Sequence, residues 1–133
     1  MDLNQFSKRI RDVAKGVEPG VDEVVRRFAL VANQTVIMAT PVDTGRARAN
    51  WQISIGSPMT DETGSTDAQG ALSRNAETIG THRASAGQEL YLQNNVPYIE
   101  RLNEGWSAQA GAGFVEKALL AAARAVSRAK VLR

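Results

Sequence analysis

The segment Thr40-Pro41-Val42-Asp43-Thr44-Gly45 limits what this chain can become more than any other. Upstream, Val21, Val24, Val25, Phe28, Val31, Ala32 and Val36 recur at three- and four-residue intervals, and Asp22 and Glu23 sit in the first turn, where the helix dipole favours acids. This predicts a core helix over 21–39. Pro41 excludes helical backbone angles at Thr40, and Asp43 and Gly45 supply the side-chain acceptor and permissive backbone of a turn. The helix must therefore stop and the chain must change direction.

From Arg46 to Ile55 the pattern has a period of two. Ala47, Ala49, Trp51, Ile53 and Ile55 alternate with Arg46, Arg48, Asn50, Gln52 and Ser54, which predicts a half-buried strand over 46–55 with Arg46 and Arg48 on the side opposite Trp51. Leu90 and Leu92 alternate with Tyr91 and Gln93, so 88–95 reads as a second strand that pairs antiparallel with the first. Between them, 57–87 is rich in Ser, Thr, Gly, Asp and Ala. Its one helical spacing is Ala68, Leu72, Ala76 and Ile79, so it reads as a long excursion with one weak helix inside it and too little apolar content to order itself in an isolated subunit.

The remaining elements are helical. Leu3, Phe6, Ile10, Val13 and Val17 form an amphipathic stripe, predicting a helix over 3–16 closed by Gly16 and Pro19-Gly20. After Pro97 and Tyr98 comes a short helical turn, and Gly105 and Gly111-Ala112-Gly113 lead to a last helix over 114–131 packed through Phe114, Val115, Ala118, Leu119, Ala122 and Val126. The expected fold is α+β: three main helices on a small antiparallel sheet, one domain over 1–133, with 57–87 as a variable loop.

Composition excludes several classes of function. With no cysteine and His82 as the one histidine, thiolate zinc sites, disulfides, cysteine nucleophiles and two-histidine sites are ruled out. His82 has no serine or carboxylate motif beside it and reads as a solvated loop residue, while Gly111-Ala112-Gly113 lacks the full dinucleotide-binding pattern. No cofactor, metal or catalytic residue is expected. Aromatic residues are only 5% of the chain, which predicts a core of small aliphatic residues without a large pocket. No window approaches the ~18 apolar residues of a membrane span, so no membrane partner is expected.

Sixteen basic residues against fourteen acidic ones give a net charge of +2, too small for a nucleic-acid footprint over the whole surface. The charge is uneven: 57–87 carries Asp61, Glu62, Asp67 and Glu77, whereas the last helix carries Lys117, Arg124, Arg128 and Lys130. A small nucleic-acid-binding module that tracks a backbone with Arg124, Arg128 and Lys130 is therefore one reading.

The other reading comes from two stretches taken together. TPVDTGRARANW (40–51) and NNVPYIERLNEGWSAQAGAGFVEKAL (94–119) resemble, in order and spacing, the signatures of the neck or tail-completion proteins of tailed bacteriophages, a family at the head-to-tail junction. Ala47 stands where that family more often has a larger aliphatic residue, and AGAGFV replaces a proline-containing approach to the last helix. The resemblance implies a non-enzymatic virion protein, assembled in the host cytoplasm. Its copies would form a ring around the DNA exit channel, six in number or alternatively twelve, between head-closure or connector proteins and tail-tube or tail-terminator proteins. Channel DNA would be met without sequence specificity. A ring needs two different complementary surfaces on each copy. Arg46 and Arg48 facing Glu100 and Glu104 of the next copy are the candidate pair, with Pro41, Asp43, Gly45, Trp51, Pro97, Tyr98 and Gly105 as the structural motif that holds them.

Overall fold

The computed structural model describes residues 20–42, 45–105 and 112–128, the side chains of Ser127 and Arg128 excepted. The helix expected over 3–16 lies outside them. Helix α1 (Val21–Ala39) buries Val21, Val24, Ala29, Ala32, Asn33, Val36 and Ile37. It ends where the proline requires: Thr40 is extended (φ −73°, ψ 137°), its N–H reaches back to Val36 O and Ile37 O, and its hydroxyl donates to Val36 O at 2.6 Å.

The segment 46–55 is not one strand. Arg46–Ala49 is a single helical turn, α2, and β1 runs only from Trp51 to Ile55. The reason is local. Arginine and alanine are among the strongest helix formers and strain neither conformation, and Gly45, left-handed at φ 80°, turns the chain so that its carbonyl accepts from Ala49 N–H at 3.0 Å. Asn50 closes the turn by donating through Nδ2 to Arg46 O at 2.8 Å. Arg46 and Arg48 therefore do not share a side: two residues apart on a helix they diverge by roughly 200°.

β1 pairs antiparallel with β2 (Leu90–Asn94), in a register that sets Trp51 opposite Asn94, Ile53 opposite Leu92 and Ile55 opposite Leu90. Beyond the sheet lie α4 (Ile99–Asn103) and α5 (Phe114–Arg128), the latter packed along α1. The core joins Val36 and Ile37 of α1, Trp51 of β1, and Phe114 and Ala118 of α5; a second cluster joins Ala29, Ile53 and Ile79. Among the described residues no helix is long and apolar enough to cross a membrane.

The interval 57–87 is less loop-like than expected, and the weak helix read at Ala68, Leu72, Ala76 and Ile79 is a full one. Helix α3 (Ala68–Gly80) packs across α1 and β1 and buries Ala71, Asn75 and Ile79, and a 3-10 turn follows at Ala84–Ala86. Of the apolar spacing Ala68, Leu72, Ala76 and Ile79, Ile79 is fully buried and Ala68 and Leu72 pack half-buried against the core. The helix looks weak in the sequence because the centre of its buried face is an asparagine, Asn75, which carries no apolar signal. The first half of the interval is held differently, by a row of side-chain amides that grip alternate backbone groups. Gln93 Nε2 donates to Met59 O (2.7 Å) and Gln93 Oε1 accepts from Met59 N–H (2.6 Å); Gln52 Nε2 donates to Asp61 O (2.9 Å); Asn50 Oδ1 accepts from Thr63 N–H (2.6 Å). Asn95 Nδ2 adds bonds to Met59 O and Asp61 O, both at 3.2 Å. The polar side chains at the start of β1 are thus covered rather than solvated: Asn50, just before the strand, is 0% and Gln52 5% exposed. Backbone groups need partners when water is removed, and an amide offers both a donor and an acceptor.

Candidate assembly surface

The two motif stretches meet in space. Arg46 Cζ lies 5.4 Å from the ring centroid of Tyr98, which caps α4; Asn94 Nδ2 donates to Ala47 O at 2.8 Å, and Asn94 Oδ1 accepts from Val96 N–H at 3.1 Å. Buried Trp51 donates through Nε1 to Thr40 Oγ1 at 2.9 Å, tying the strand to the helix end. Pro41 is buried beside this contact, Pro97 is exposed, and Gly105 (φ 95°) ends the segment after α4. Asp43 lies outside the described residues. Gly45 is confined by more than its backbone angle, because a Cβ there would stand 2.6 Å from Thr66 O.

Each arginine of the candidate pair has partners within its own chain. Arg46 donates through Nε (2.9 Å) and Nη2 (2.6 Å) to Glu62 Oε1, and this bond holds the guanidinium pKa above its ordinary value. Its side chain is still 45% exposed, so the pair contributes little to stability. Arg48 does something else. It donates through Nε to Thr40 O (2.7 Å) and through Nη2 to Met38 O (2.8 Å), which satisfies carbonyls at the end of α1, a helix with no basic residue in its last turn.

Glu100 and Glu104 are both exposed, the first in the opening turn of α4 and the second its C-cap. No described hydrogen bond or ion pair joins either carboxylate to Arg46 or Arg48. The acid that sequence reasoning missed is Glu62. It lies sixteen residues beyond Arg46, and no local spacing relates the two. Asn103 was missed as well: its Oδ1 accepts from Val115 N–H at 2.9 Å and its Nδ2 donates to both Glu116 oxygens, locking α4 to the start of α5. On the reading of a basic C-terminal helix, Arg124 is exposed, while the side chains of Arg128 and Lys130 lie outside the described residues.

His82 is not a solvated loop residue. It is 1% exposed, and its Nε2 meets Gln88 O at 2.9 Å; a carbonyl only accepts, so Nε2 is the donor, and Nδ1 has no hydrogen-bond partner among the described residues. Arg26 Nε donates to His82 O at 2.9 Å. The ring borders an open apolar groove of about 350 Å³, lined also by Phe28, Leu90, Leu92 and Leu119. Among the described residues no cluster of His, Cys, Asp and Glu is suited to a metal ion.

Nearby, Asp22 ties α1 to the 3-10 turn by accepting from Ser85 N–H (2.8 Å) and Ser85 Oγ (2.9 Å). The backbone bond from Ser85, above all, holds the Asp22 carboxyl below its ordinary pKa, and Arg83 and His82 add smaller favourable contributions. A carboxyl whose pKa is lower folded than unfolded stabilises the fold above its unfolded value and loses that contribution as pH falls through the folded one. Acidification below the ordinary carboxylate range is therefore expected to release this contact, seen as faster exchange of the Ser85 amide. Asp22→Asn should show a weaker pH dependence at that amide. An identical dependence in the variant would assign the effect to another group. Comparison with protein-family models, with curated proteins and with solved structures finds no match.

Proposed function

We propose that this chain is a structural component of a tailed-bacteriophage neck, a tail-completion or head-to-tail joining protein. In this reading it assembles as a ring around the DNA exit channel, contacts connector and tail proteins on either side, and performs no catalysis. The observation that carries the reading is that the two motif stretches resembling that family, separated in the chain by the whole of 52–93, form one joint: Arg46 over Tyr98, Asn94 on Ala47 O, Trp51 opposite Asn94. A joint with a mechanical role needs such cross-bracing, and among the described residues no cluster of His, Cys, Asp and Glu is suited to a metal ion.

The native mass of the purified chain tests the reading, with six copies expected and twelve as the alternative. The arginines refine it. Arg46→Ala leaves the stability of the fold close to the parent's, because its ion pair is exposed. Arg48→Ala loses about 1–2 kcal/mol, because two carbonyls at a helix end lose a charged donor. If Arg46 also reaches the next copy, Arg46→Ala weakens the ring far more than it weakens the fold, and Glu100→Lys with Glu104→Lys does the same. A chain that stays monomeric when concentrated and shifts duplex DNA in a salt-dependent manner would replace the ring with the nucleic-acid-binding reading.

A further inference from the structure

The two edges of the sheet are treated differently. In an antiparallel strand the N–H and C=O of one residue point to the same side, and successive residues alternate. Ile53 N–H donates to Asn75 Oδ1 at 3.2 Å and Trp51 O accepts from Asn75 Nδ2 at 2.8 Å, so the backbone groups of Trp51 and Ile53 face away from β2 and a buried amide from α3 closes that edge. Their partners across the ladder, Asn94 and Leu92, and Leu90 opposite Ile55, must then face away from β1. No described residue bonds the backbone N–H or C=O of Leu90 or Leu92 on that outer side.

This edge also lacks the devices that usually blunt one. β2 reads Leu90-Tyr91-Leu92-Gln93-Asn94, with no charge, no proline and no bulge, and its residues are half-buried rather than covered. Leu90 and Leu92 border the apolar groove along α1, with Phe28 and Leu119 across from them. An open, uncharged edge beside an apolar groove is a template for another extended strand.

We propose that β2 pairs edge to edge with β2 of a second copy of this chain. An antiparallel pair of identical strands is related by a two-fold axis, so the open edge is complementary to itself. Outward-facing residues lie opposite one another in such a pair, and opposite residues project to the same face. The leucines of each strand therefore extend the apolar face of the other and cover its groove, giving a continuous sheet in the order β1, β2, β2 of the second copy, β1 of the second copy. The contact closes on two copies, so it stands apart from the head-to-tail contacts of a ring and requires only a second molecule.

Residue-resolved amide exchange on the full chain, dilute and concentrated, tests the pairing. In the dilute chain Tyr91 and Gln93, bonded to β1, exchange slowly, while Leu90 and Leu92 exchange freely. On concentration Leu90 and Leu92 slow by about tenfold or more, as amides do when they enter a stable ladder. Leu90→Pro removes one outward N–H without touching the bonds to β1; it is expected to abolish the concentration dependence while Tyr91 and Gln93 stay protected. Slow Leu90 and Leu92 amides already in the dilute monomer overturn the proposal, by showing the edge covered within one chain. A chain that stays monomeric overturns it as well. Assemblies of six or twelve in which these amides still exchange freely overturn it and leave the ring reading in place, whereas protection in a species of two copies supports it and counts against the ring.

Discussion

Gly45→Ala is expected to destabilise the protein by more than about 2 kcal/mol, from two effects that add. The left-handed backbone at φ 80° disfavours any residue with a Cβ by about 1–2 kcal/mol. The added methyl would also stand 2.6 Å from the backbone carbonyl of Thr66, which cannot rotate away as a side chain would. Gly56 separates the two effects: its φ is 93°, yet a Cβ there meets nothing within 4 Å, so Gly56→Ala is expected to lose only the backbone part, about 1–2 kcal/mol. Denaturant unfolding of the two variants side by side decides the matter. Equal losses would show that the contact with Thr66 relaxes freely and that the turn does not position the interval 57–67.

Asn75→Ala is expected to lose about 3 kcal/mol or more. Asn75 is 1% exposed, and its amide serves Asn33 Oδ1 (2.8 Å), Trp51 O (2.8 Å) and Ile53 N–H (3.2 Å). Truncation leaves all three in a dry core, and each buried group left without a partner costs about 1–3 kcal/mol. Partial relaxation or an entering water keeps the total below the sum. The same change opens the outer edge of β1, so exchange of the Ile53 amide should accelerate more than that of Gln52, which bonds to β2. A loss under about 1 kcal/mol would mean that the network is replaced by water at little expense and that Asn75 does not hold α3 to the sheet.

Several features were legible because they rest on neighbours in the chain. The limits of α1 follow from acids in its first turn and from Pro41, and they match Val21–Ala39. The pairing of 51–55 with 90–94 follows from alternation in both segments, and α5 from its apolar spacing. The candidate surface was legible only in part: Arg46 and Arg48 stand out by type, but their partners Glu62, Tyr98, Thr40 and Met38 belong to three other segments.

By itself, the sequence determined where helices stop, where the chain turns, and which residues alternate, since turn chemistry and periodicity act over a few bonds. Tertiary structure decided the rest. Arg46–Ala49 is indifferent between helix and strand until Gly45 and Asn50 close the turn around it. The polar face of β1 looks solvent-facing until 59–63 lies across it and replaces bonds to water with bonds to its own backbone. Asn75 and His82 look like surface residues because polarity predicts exposure only when no partner waits inside. Asn75 finds Asn33, 42 positions away, and His82 finds Gln88 O and the groove beside α1. A polar group is buried when its hydrogen bonds are met by groups distant in the chain, and hydropathy, which counts one residue at a time, carries no trace of those partners.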